Sequence, residues 1–462
     1  MQNFCDPDQL TKTPFWTSSY VPGADNPSLE DDLTCDLAIV GGGFTGLWSA
    51  LKARERWPDK NIVVLEADRC GNAASGRNGG FCAPSISHGA ANAVARWPKE
   101  AETLVRLGHE NLDGFQQDIT DFGIDAEFER AGKLNVAATP WQVQGLKATQ
   151  EVFARFGYDT QILQGADLHD KLNSPVYDTG LFEPNYALIN PGKLVAGLRE
   201  NCIDKGVELY EHSPVTALPK QGASIRLATD KARISARQII LATNAAVPLL
   251  KRLRAAIIPV FDYALVTEPL NADQLAAIGW EGRHGVADSG NQFHYSRKTA
   301  DNRILWGGYD AIYHYGSDRD VALQDRPETF NRLAGTFRAA LPALDGVQFS
   351  HAWGGIIDTS ARTTFFVNTA LDGQLAYAMG FTGQGVTASR FAALAMLDML
   401  EGKQTERTTL SMIRRRPVPF PPEPLRSLAI RRAQRDLAWE DQTGNRSFYL
   451  RCLDRLGIGF DS

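Results

Sequence analysis

Three glycines at a strand-to-helix junction are the first residues whose types and spacing predict chemistry. Gly41, Gly43 and Gly46 form G-x-G-x-x-G between an apolar run and a helical pattern. The first glycine permits a tight turn, the second lets a pyrophosphate approach the backbone, and the third lets the helix pack closely. The helix start offers unpaired N–H groups to an anion. The spacing predicts a dinucleotide site that includes Phe44 and Thr45.

An acidic residue follows at the distance that such a site requires. Glu66 lies 20 residues after Gly46, at the end of a second apolar run. A carboxylate in this place accepts the ribose hydroxyls of an adenosine and opposes a 2′-phosphate, which argues against NADP. A glycine-rich turn without a ligand is the alternative interpretation. FAD and NAD both remain open at this point.

A second flexible segment favours FAD over NAD. The sequence SGRNGGF over residues 75–81 combines small residues with an arginine and an asparagine. Such a segment suits a loop around a long dinucleotide, and a plain NAD domain does not need it. The candidate cofactor residues in this loop are Ser75, Gly76, Arg77, Asn78, Gly79 and Gly80.

The two motifs together resemble the FAD-dependent D-amino-acid oxidase superfamily, which includes glycine and sarcosine oxidases. GGGFTGL at 41–47 and SGRNGGF at 75–81 are most similar to the γ-glutamylputrescine oxidases. The resemblance implies an FAD enzyme that oxidises the C–N bond of a small primary or secondary amine, amino acid or aminophosphonate. In the implied reaction the amine loses a proton, hydride passes to flavin N5, the imine hydrolyses, and dioxygen accepts the electrons to give H2O2.

The resemblance also implies further cofactor contacts. The backbone of Val215 is expected at the adenine, although a plain core valine is the alternative. Ala242 and Thr243 end the run QIILA as a second dinucleotide contact, with Asn244 where the family usually has glycine. A glycine-rich loop before the predicted helix 388–399 is expected at the pyrimidine side of the flavin, or else is a mere helix-initiating turn. Its residues are Gly380, Phe381, Thr382, Gly383, Gln384, Gly385 and Val386.

The positions of the cysteines and histidines indicate whether FAD is bound covalently. Those members of the resembling family that bind flavin covalently attach it through a cysteine near the later glycine-rich loop or through a histidine in the segment matching 75–81. This chain has no cysteine between Cys202 and Cys452 and no histidine in 75–81. We therefore expect noncovalent FAD. The six cysteines also lack metal-ligand spacing, so no metal site is expected.

Residues 295–308 resemble the family's stretch Y-Y-R-x-T-x-D-x-R-L-L-F-G-G. Tyr295 and Arg297 are the candidates for positioning substrate there. An arginine holds a carboxylate or phosphonate in bidentate geometry, although pairing with a structural acid is the alternative. Arg297 or Lys298 can also assist oxygen reduction by stabilising superoxide.

The segment HAWGGIID at 351–358 lies where relatives lead from the substrate domain back to the flavin. His351 is a third candidate for the substrate site, and Asp358 is expected to approach the ring with it. A structural histidine is the alternative at residue 351. No acid/base pair stands out among these residues, which fits a reaction whose difficult chemistry belongs to the cofactor.

The elements that must position these residues follow from hydrophobic patterning. Apolar runs at 36–40 and 61–65 flank a helical pattern at 44–57, which predicts a βαβ unit, and further buried strands are expected at 238–242 and 375–379. Runs of mixed polarity at 132–138, 259–267 and 303–308 indicate a second sheet. The predicted fold is α/β, or α+β overall, with a Rossmann-type FAD domain, an inserted mixed-sheet substrate domain and a C-terminal helical tail.

The domain boundaries are predicted from the same patterns. The FAD domain comprises 30–95, 183–258 and 352–404, the substrate domain 96–182 and 259–351, and a Pro/Arg-rich helical extension 405–462. The helix in this extension is expected to pack its apolar residues onto the protein itself. An anionic membrane surface, with electron delivery to quinone, is the alternative. These apolar residues are Leu425, Leu428, Leu437 and Trp439.

Composition limits the remaining function classes. The 462 residues are 43% hydrophobic, so a folded enzyme is expected, and the net charge of −6 disfavours nucleic acid. No secretory signal or membrane-spanning stretch is evident, and we expect a cytoplasmic protein. Hydrolase motifs are absent. Two alternatives to an oxidase stay open: an amine dehydrogenase that passes electrons to quinone or another carrier, and a non-catalytic FAD-containing assembly subunit.

Overall fold

The computed structural model describes residues 4–20, 23–218, 220–221 and 224–459. Within these ranges the strands are β1 (Leu33–Val40), β2 (Ile62–Leu65), β3 (Phe81–Cys82), β4 (Lys133–Ala137), β5 (Gln161–Gln164), β6 (Thr179–Glu183), β7 (Ala187–Leu188), β8 (Glu208–Tyr210), β9 (Lys220–Gln221), β10 (Ser224–Ala228), β11 (Arg233–Leu241), β12 (Ile257–Thr267), β13 (Gly285–Asp288), β14 (His294–Lys298), β15 (Ile304–Gly308), β16 (Phe349–Ser360), β17 (Phe366–Ala370) and β18 (Leu375–Met379).

The α-helices of the same ranges are α1 (Phe44–Arg56), α2 (Ala90–Arg96), α3 (Ala101–Asp121), α4 (Pro140–Arg155), α5 (Ala166–His169), α6 (Pro191–Asp204), α7 (Ala272–Ala277), α8 (Pro327–Ala340), α9 (Gly385–Leu400), α10 (Glu406–Thr409), α11 (Ser411–Arg414), α12 (Leu425–Thr443) and α13 (Phe448–Arg455).

The first sheet carries the predicted βαβ unit. Its strand order is β17-β18-β11-β1-β2-β8, with β10 and β9 attached at β11. Strand β1 pairs in parallel with both β2 and β11, so that Val40 lies opposite Leu65 and Leu241. The carboxyl ends of these three strands therefore meet at one edge, where ligands bind in open α/β sheets. The predicted α/β class is confirmed.

Helices cover one face of this sheet. Helices α1, α3, α6 and α9 bury apolar side chains against it, and Trp48 of α1 lies 5.5 Å from the Phe115 ring of α3. The opposite face buries Ala38, Val63 and Ile239. Because both faces are covered, the strands read as continuous apolar runs rather than as alternating patterns.

The second sheet has the order β16-β12-β15-β14-β13-β4-β6-β5 and is antiparallel except for the pair β13 and β4. One face packs on α8, where Phe261 and Tyr263 of β12 are buried beside Phe330. Alternation along β12 turns Ala264 to the opposite face, among Phe15, Trp16 and Trp353. This opposite face, called the inner face below, lies against the loop that follows β2.

Two features of the structure lie close to the expected domain boundaries, which stay a prediction. Helix α3, from the range assigned to the substrate domain, packs on the helices of the first sheet, because Asp118 pairs with Lys52 at 2.7 Å and with Arg390 at 2.6 Å. Strand β16 runs across the expected boundary at 352 as one continuous strand. Residues 460–462 of the expected C-terminal extension lie outside the described residues.

The C-terminal helix α12 differs from the prediction that its apolar residues pack onto the protein. Leu425 and Leu428 are each 60% exposed and Trp439 is 56% exposed, while Leu437 is half-buried. Polar groups hold the helix instead. The Asp441 carboxylate, for example, accepts hydrogen bonds from two backbone N–H groups at 291–292. Because polar groups hold α12 on the protein, its apolar side chains remain exposed to solvent.

Candidate cofactor and substrate site

The glycine turn after β1 is packed too closely for side chains. Gly41 has a φ of +111°, and a Cβ atom there would lie 2.4 Å from the carbonyl oxygen of Ala242. A Cβ on Gly46 would lie 1.8 Å from the Gly41 oxygen. Helix α1 begins at Phe44 with Gly43 as its N-cap and without a side-chain cap. The first N–H groups of α1 are thus placed at the sheet edge where an anion is expected.

Glu66 lies at the end of β2, next to this turn. Its Oε2 accepts a hydrogen bond from the Gly42 N–H at 2.6 Å, and its Oε1 accepts one from the Asp68 N–H at 3.0 Å. Burial raises the pKa of this carboxyl group, and the backbone donors oppose that rise. Ser213 donates its N–H to the Glu66 carbonyl at 2.8 Å, and Val215 packs, partly buried, against the apolar cluster that contains Val63 and Leu65. Each carboxylate oxygen keeps acceptor capacity for a ribose hydroxyl.

The loop 75–80 is held by its own polar groups. The Phe44 N–H of α1 donates to Ser75 Oγ at 2.9 Å. The Asn78 side chain donates to the Ala74 and Ser75 carbonyls and accepts from the Gly80 N–H at 2.9 Å. Asparagine is needed here because a single side chain must both donate and accept.

The same loop is attached to the second sheet. Arg77 donates from Nη1 to the Gly354 carbonyl at 3.0 Å, and its own carbonyl accepts from Trp353 Nε1 at 2.9 Å. Trp16 donates from Nε1 to the Asn78 carbonyl at 2.7 Å. Two tryptophans that the sequence analysis did not select therefore fix the loop between the two sheets.

Asn244, at the position where the family resemblance predicts glycine, adopts a φ of +45°. This is the left-handed region, which asparagine tolerates better than most residues. Its Nδ2 donates to Asp358 Oδ1 at 3.1 Å. The turn that begins with Ala242 and Thr243 is therefore kept, and it gains a contact to β16 that a glycine cannot make.

Asp358 organises the loop 380–386. Its carboxylate accepts from the Gly380 N–H at 2.5 Å and from the Phe381 N–H at 3.1 Å, and its carbonyl accepts from the Thr382 N–H at 3.0 Å. Burial raises the pKa of Asp358 to about 7 despite these donors and Asn244. A buried histidine, His88, also hydrogen-bonds this loop's backbone, and burial lowers its pKa to about 4, so that it is neutral at pH 7.

Helix α9 begins at Gly385, directly after this loop, and the second residue of the helix is Val386. Its N-cap Gln384 has no side-chain hydrogen bond to the helix, and the buried Gln384 Oε1 lacks a partner among the described residues. Gly383 has a φ of +83° and only Ile357 within 4 Å of its Cβ position. The helix end and its positive dipole thus face the space between the two sheets.

These features fit FAD. The glycines at 41, 43 and 46 form a cradle that Cβ atoms would fill, and Glu66 lies at the end of the next strand. The loop 75–80, with Gly76 buried within it, and the loop 380–386 approach the inner face of the second sheet from the first. The two loops, the start of α9 and the unpartnered Gln384 amide oxygen are the groups that would hold an isoalloxazine ring between the two sheets.

Tyr295 lies at this place, on the inner face. A Cβ on Gly79 would lie 2.9 Å from the Tyr295 ring, and a Cβ on Gly307 would lie 2.5 Å from it. The Tyr295 hydroxyl donates to Asp262 Oδ2 at 2.7 Å. Asp262 was not selected from the sequence. A single charge inside the apolar strand 257–267 is the signal that would have found it.

Arg297 lies two residues further along β14 and is completely buried. Its Nη1 donates to the Ile189 carbonyl at 2.6 Å and makes longer bonds to the carbonyls of Gly79 and Gly80. The guanidinium lies over the Trp16 ring at 5.3 Å, and burial lowers its pKa to about 10. Nε and Nη2 have no partner among the described residues. These contacts tie the loop 75–80 to the second sheet.

His351 and Lys298, the two other candidates for the substrate site, have partners away from the Tyr295 hydroxyl. His351 Nδ1 is 2.9 Å from Ser350 Oγ, and its ring packs edge-on against Phe15 at 5.4 Å. Lys298 donates to the carbonyls of Trp280 and Glu281 at 2.7 and 3.0 Å. Neither side chain is brought next to Tyr295.

The described residues contain no group of histidine, cysteine or acidic side chains arranged to hold a metal ion. All six cysteines lie within the described ranges as free thiols. None of the helices described is both long and apolar enough to cross a membrane.

The glycine cradle, the acidic residue after β2 and the loops facing a second sheet define a two-domain flavin-dependent oxidoreductase. Residues 36–399 match the FAD dependent oxidoreductase (DAO) family, and the chain belongs to this family. It is an FAD-dependent enzyme, as the sequence motifs predicted.

Named relatives agree with this assignment. The chain is 31% identical over 398 residues to the gamma-glutamylputrescine oxidoreductase of Escherichia coli, covering 84% of this chain and 89% of the relative. It is 27% identical over 387 residues to the probable oxidoreductase OrdL of Haemophilus influenzae, covering 81% and 85%. The glycine oxidase structure from Geobacillus kaustophilus superposes with a TM-score of 0.68 at 19% identity, covering 81% of this chain and 96% of that one. At this identity the superposition supports the fold.

Proposed function

We propose that the protein oxidises the C–N bond of a small amine and passes the electrons to dioxygen, with H2O2 as the product. The observation that carries the proposal is the placement of the Tyr295 ring beside Gly79, with its hydroxyl hydrogen-bonded to Asp262. The 31% identity to a gamma-glutamylputrescine oxidoreductase over most of both chains supports an amine as the substrate. FAD, when bound, supplies the acceptor for the two electrons.

The chain's own residues have positioning roles in this proposal. Glu66 binds the adenosine ribose, and the first turn of α1 binds the pyrophosphate. The loop held by Asp358 presents backbone N–H groups and the start of α9 to the flavin edge that gathers negative charge. Arg297 and Trp16 fix the loop 75–80, so that the substrate site forms only when both sheets are docked.

The experiment begins with the purified holoenzyme. Primary and secondary amines, amino acids and aminophosphonates are mixed with it anaerobically, and the loss of oxidised-flavin absorbance is followed over time. We expect at least one class of amine to bleach the flavin. Admission of air should then restore the colour and yield one H2O2 for each amine oxidised.

Two results would redirect the proposal. Bleaching that is reversed by a quinone but not by air would indicate an amine dehydrogenase. Absence of bleaching by every amine class, with FAD bound stoichiometrically, would favour the non-catalytic assembly subunit. Replacement of the exposed Trp439 in the C-terminal helix is a control for electron transfer to a membrane quinone. It should change the rate of flavin reoxidation only if that helix docks at a membrane.

A further inference from the structure

The inner face of strand β12 carries one charge among apolar neighbours. Phe261, Tyr263 and Leu265 point to the core under α8. The residues between them face the other way, and Asp262 is half-buried on that side. A carboxylate in the middle of a central strand is disfavoured by desolvation unless it has a partner or a ligand.

The structure provides Asp262 with a positioned donor. The Tyr295 ring lies between Gly79 and Gly307, where side chains on either glycine would collide with it. This packing aims the hydroxyl at Asp262 Oδ2, 2.7 Å away. One oxygen of the carboxylate is thus bound to a neutral group, and the negative charge stays uncompensated.

No cation of the described residues neutralises this charge. Asp262 forms no ion pair within 4 Å there. Hydrogen bonds from the Tyr295 hydroxyl and the Tyr263 backbone lower its pKa, and the one charge that acts on it is Asp310, a second carboxylate. Burial is the main reason that the pKa of Asp262 rises to about 6, so the group is mostly ionised at pH 7.5. Asp310 itself is paired with Arg332 and Arg326, so it offers no site of its own.

The residue that faces Asp262 from the neighbouring strand has no side chain. Gly355 lies directly opposite Asp262 in the register of β12 and β16. A Cβ on Gly355 would have only the aliphatic part of Arg77 within 4 Å, at 3.5 and 3.7 Å. The Arg77 guanidinium is held by the carbonyls of Asn72 and Gly354, and the charge that acts on it is Asp68 rather than Asp262. A group over Gly355 would therefore contact the aliphatic part of Arg77, between Asp262 and the loop 75–80.

We propose that Asp262, positioned by Tyr295, binds a positively charged amino group of the substrate. The inference rests on the proposed amine oxidation and specifies its substrate class as amines that carry an alkylammonium group at this point. That group is either the reacting nitrogen before it loses its proton or a second cationic nitrogen of the same molecule. An anionic substrate group is disfavoured at the same place by Asp262 and Asp310.

The test compares holoenzyme variants with three probes: 1,4-diaminobutane, butylamine and 1-butanol. Dissociation constants come from anaerobic perturbation or reduction of the flavin spectrum and from calorimetry at constant ionic strength. The wild type should bind the amines at least ten times more tightly than the alcohol. Asp262→Asn should weaken amine binding about 10- to 100-fold, the range for a hydrogen bond to a charged group, and leave 1-butanol unchanged.

Matched variants separate charge recognition from folding defects. Asp345→Asn removes one charge from a side chain that is 83% exposed, and it should behave as wild type. Asp262→Glu should restore part of the amine binding. Tyr295→Phe should weaken amine binding, while Tyr263→Phe, whose hydroxyl bonds the Leu323 carbonyl on the other face, should not.

The outcomes are distinct. Equal losses for both amines in Asp262→Asn assign the reacting nitrogen to Asp262, and a loss for the diamine alone assigns the second nitrogen. Equal affinity of the wild type for amines and alcohol, or unchanged amine binding in a folded Asp262→Asn holoenzyme, overturns the proposal. Selective amine binding without flavin bleaching would keep the cation site and reject amine oxidation.

Discussion

Replacing Asn244 by glycine tests whether the contact to Asp358 outweighs the backbone preference of this turn. The side chain connects the end of β11 to β16 through a 3.1 Å hydrogen bond, and Asp358 in turn holds the N–H groups of Gly380 and Phe381. Glycine adopts the left-handed conformation more readily than asparagine, and it is the residue that the family resemblance predicts here. A purely conformational argument would therefore predict that the variant is more stable.

The magnitudes favour the opposite result. Relief of the left-handed conformation contributes at most about 1 kcal/mol for asparagine, and the added freedom of glycine in the unfolded chain costs roughly 0.5–1 kcal/mol. These two effects nearly cancel. The lost hydrogen bond to a buried carboxylate costs about 1.5–3 kcal/mol. We expect Asn244→Gly to lower the free energy of unfolding by roughly 1–3 kcal/mol at pH 8.

The effect should depend on pH. The folded pKa of Asp358, about 7, is higher than its unfolded value, so its contribution favours folding below about pH 4 and is lost as pH rises through 7. Removing the Asn244 donor raises that pKa further. The penalty of Asn244→Gly should accordingly be small at pH 5, where Asp358 is protonated in both proteins, and largest at pH 8.

Urea unfolding of the apoprotein, followed by tryptophan fluorescence at pH 5 and pH 8, measures this difference. Asn302→Gly is the matched control, because Asn302 has a φ of +62° in an exposed turn. A double-mutant cycle with Asp358→Asn isolates the pair energy. Stability of Asn244→Gly equal to or above that of Asn302→Gly at pH 8 would refute the reasoning.

Three further predictions concern the cofactor and substrate sites. Acid or heat should release yellow FAD from the precipitated protein, and flavin remaining with the precipitate would contradict noncovalent binding. Glu66→Ala should weaken FAD by about 1–3 kcal/mol in fluorescence titration and also lower the apoprotein Tm, since it removes the acceptor of two backbone N–H groups. Arg297→Ala should lower the free energy of unfolding by about 2 kcal/mol or more, because it removes the donor that the buried Ile189 carbonyl accepts from. It should raise the half-saturating concentration equally for acidic and uncharged-tail amines. A selective loss for acidic amines would instead support the anion-binding role first considered for Arg297.

The cofactor class was predictable from the sequence because its determinants are local. A tight turn, a helix start and an acidic residue at the end of the next strand lie within about 30 residues, and their spacing is imposed by one βαβ unit. The pairing of Val40 with Leu65 and Leu241 then follows from apolar runs that are buried on both faces. Short-range sterics and hydrophobic burial are sufficient to encode these features.

The substrate side depended on the packing of two sheets. Asp262 and Tyr295 belong to strands that are not adjacent in the sheet, and Asn244 reaches Asp358 across 114 residues of sequence. Arg297 matched a motif, yet only the tertiary structure placed its guanidinium on buried carbonyls. The apolar residues of α12 were predicted to pack because their spacing is helical, but spacing does not reveal whether a complementary surface exists. Contacts between distant segments depend on which faces of the sheets and helices pack together. The residue pattern of a single sequence does not show that packing.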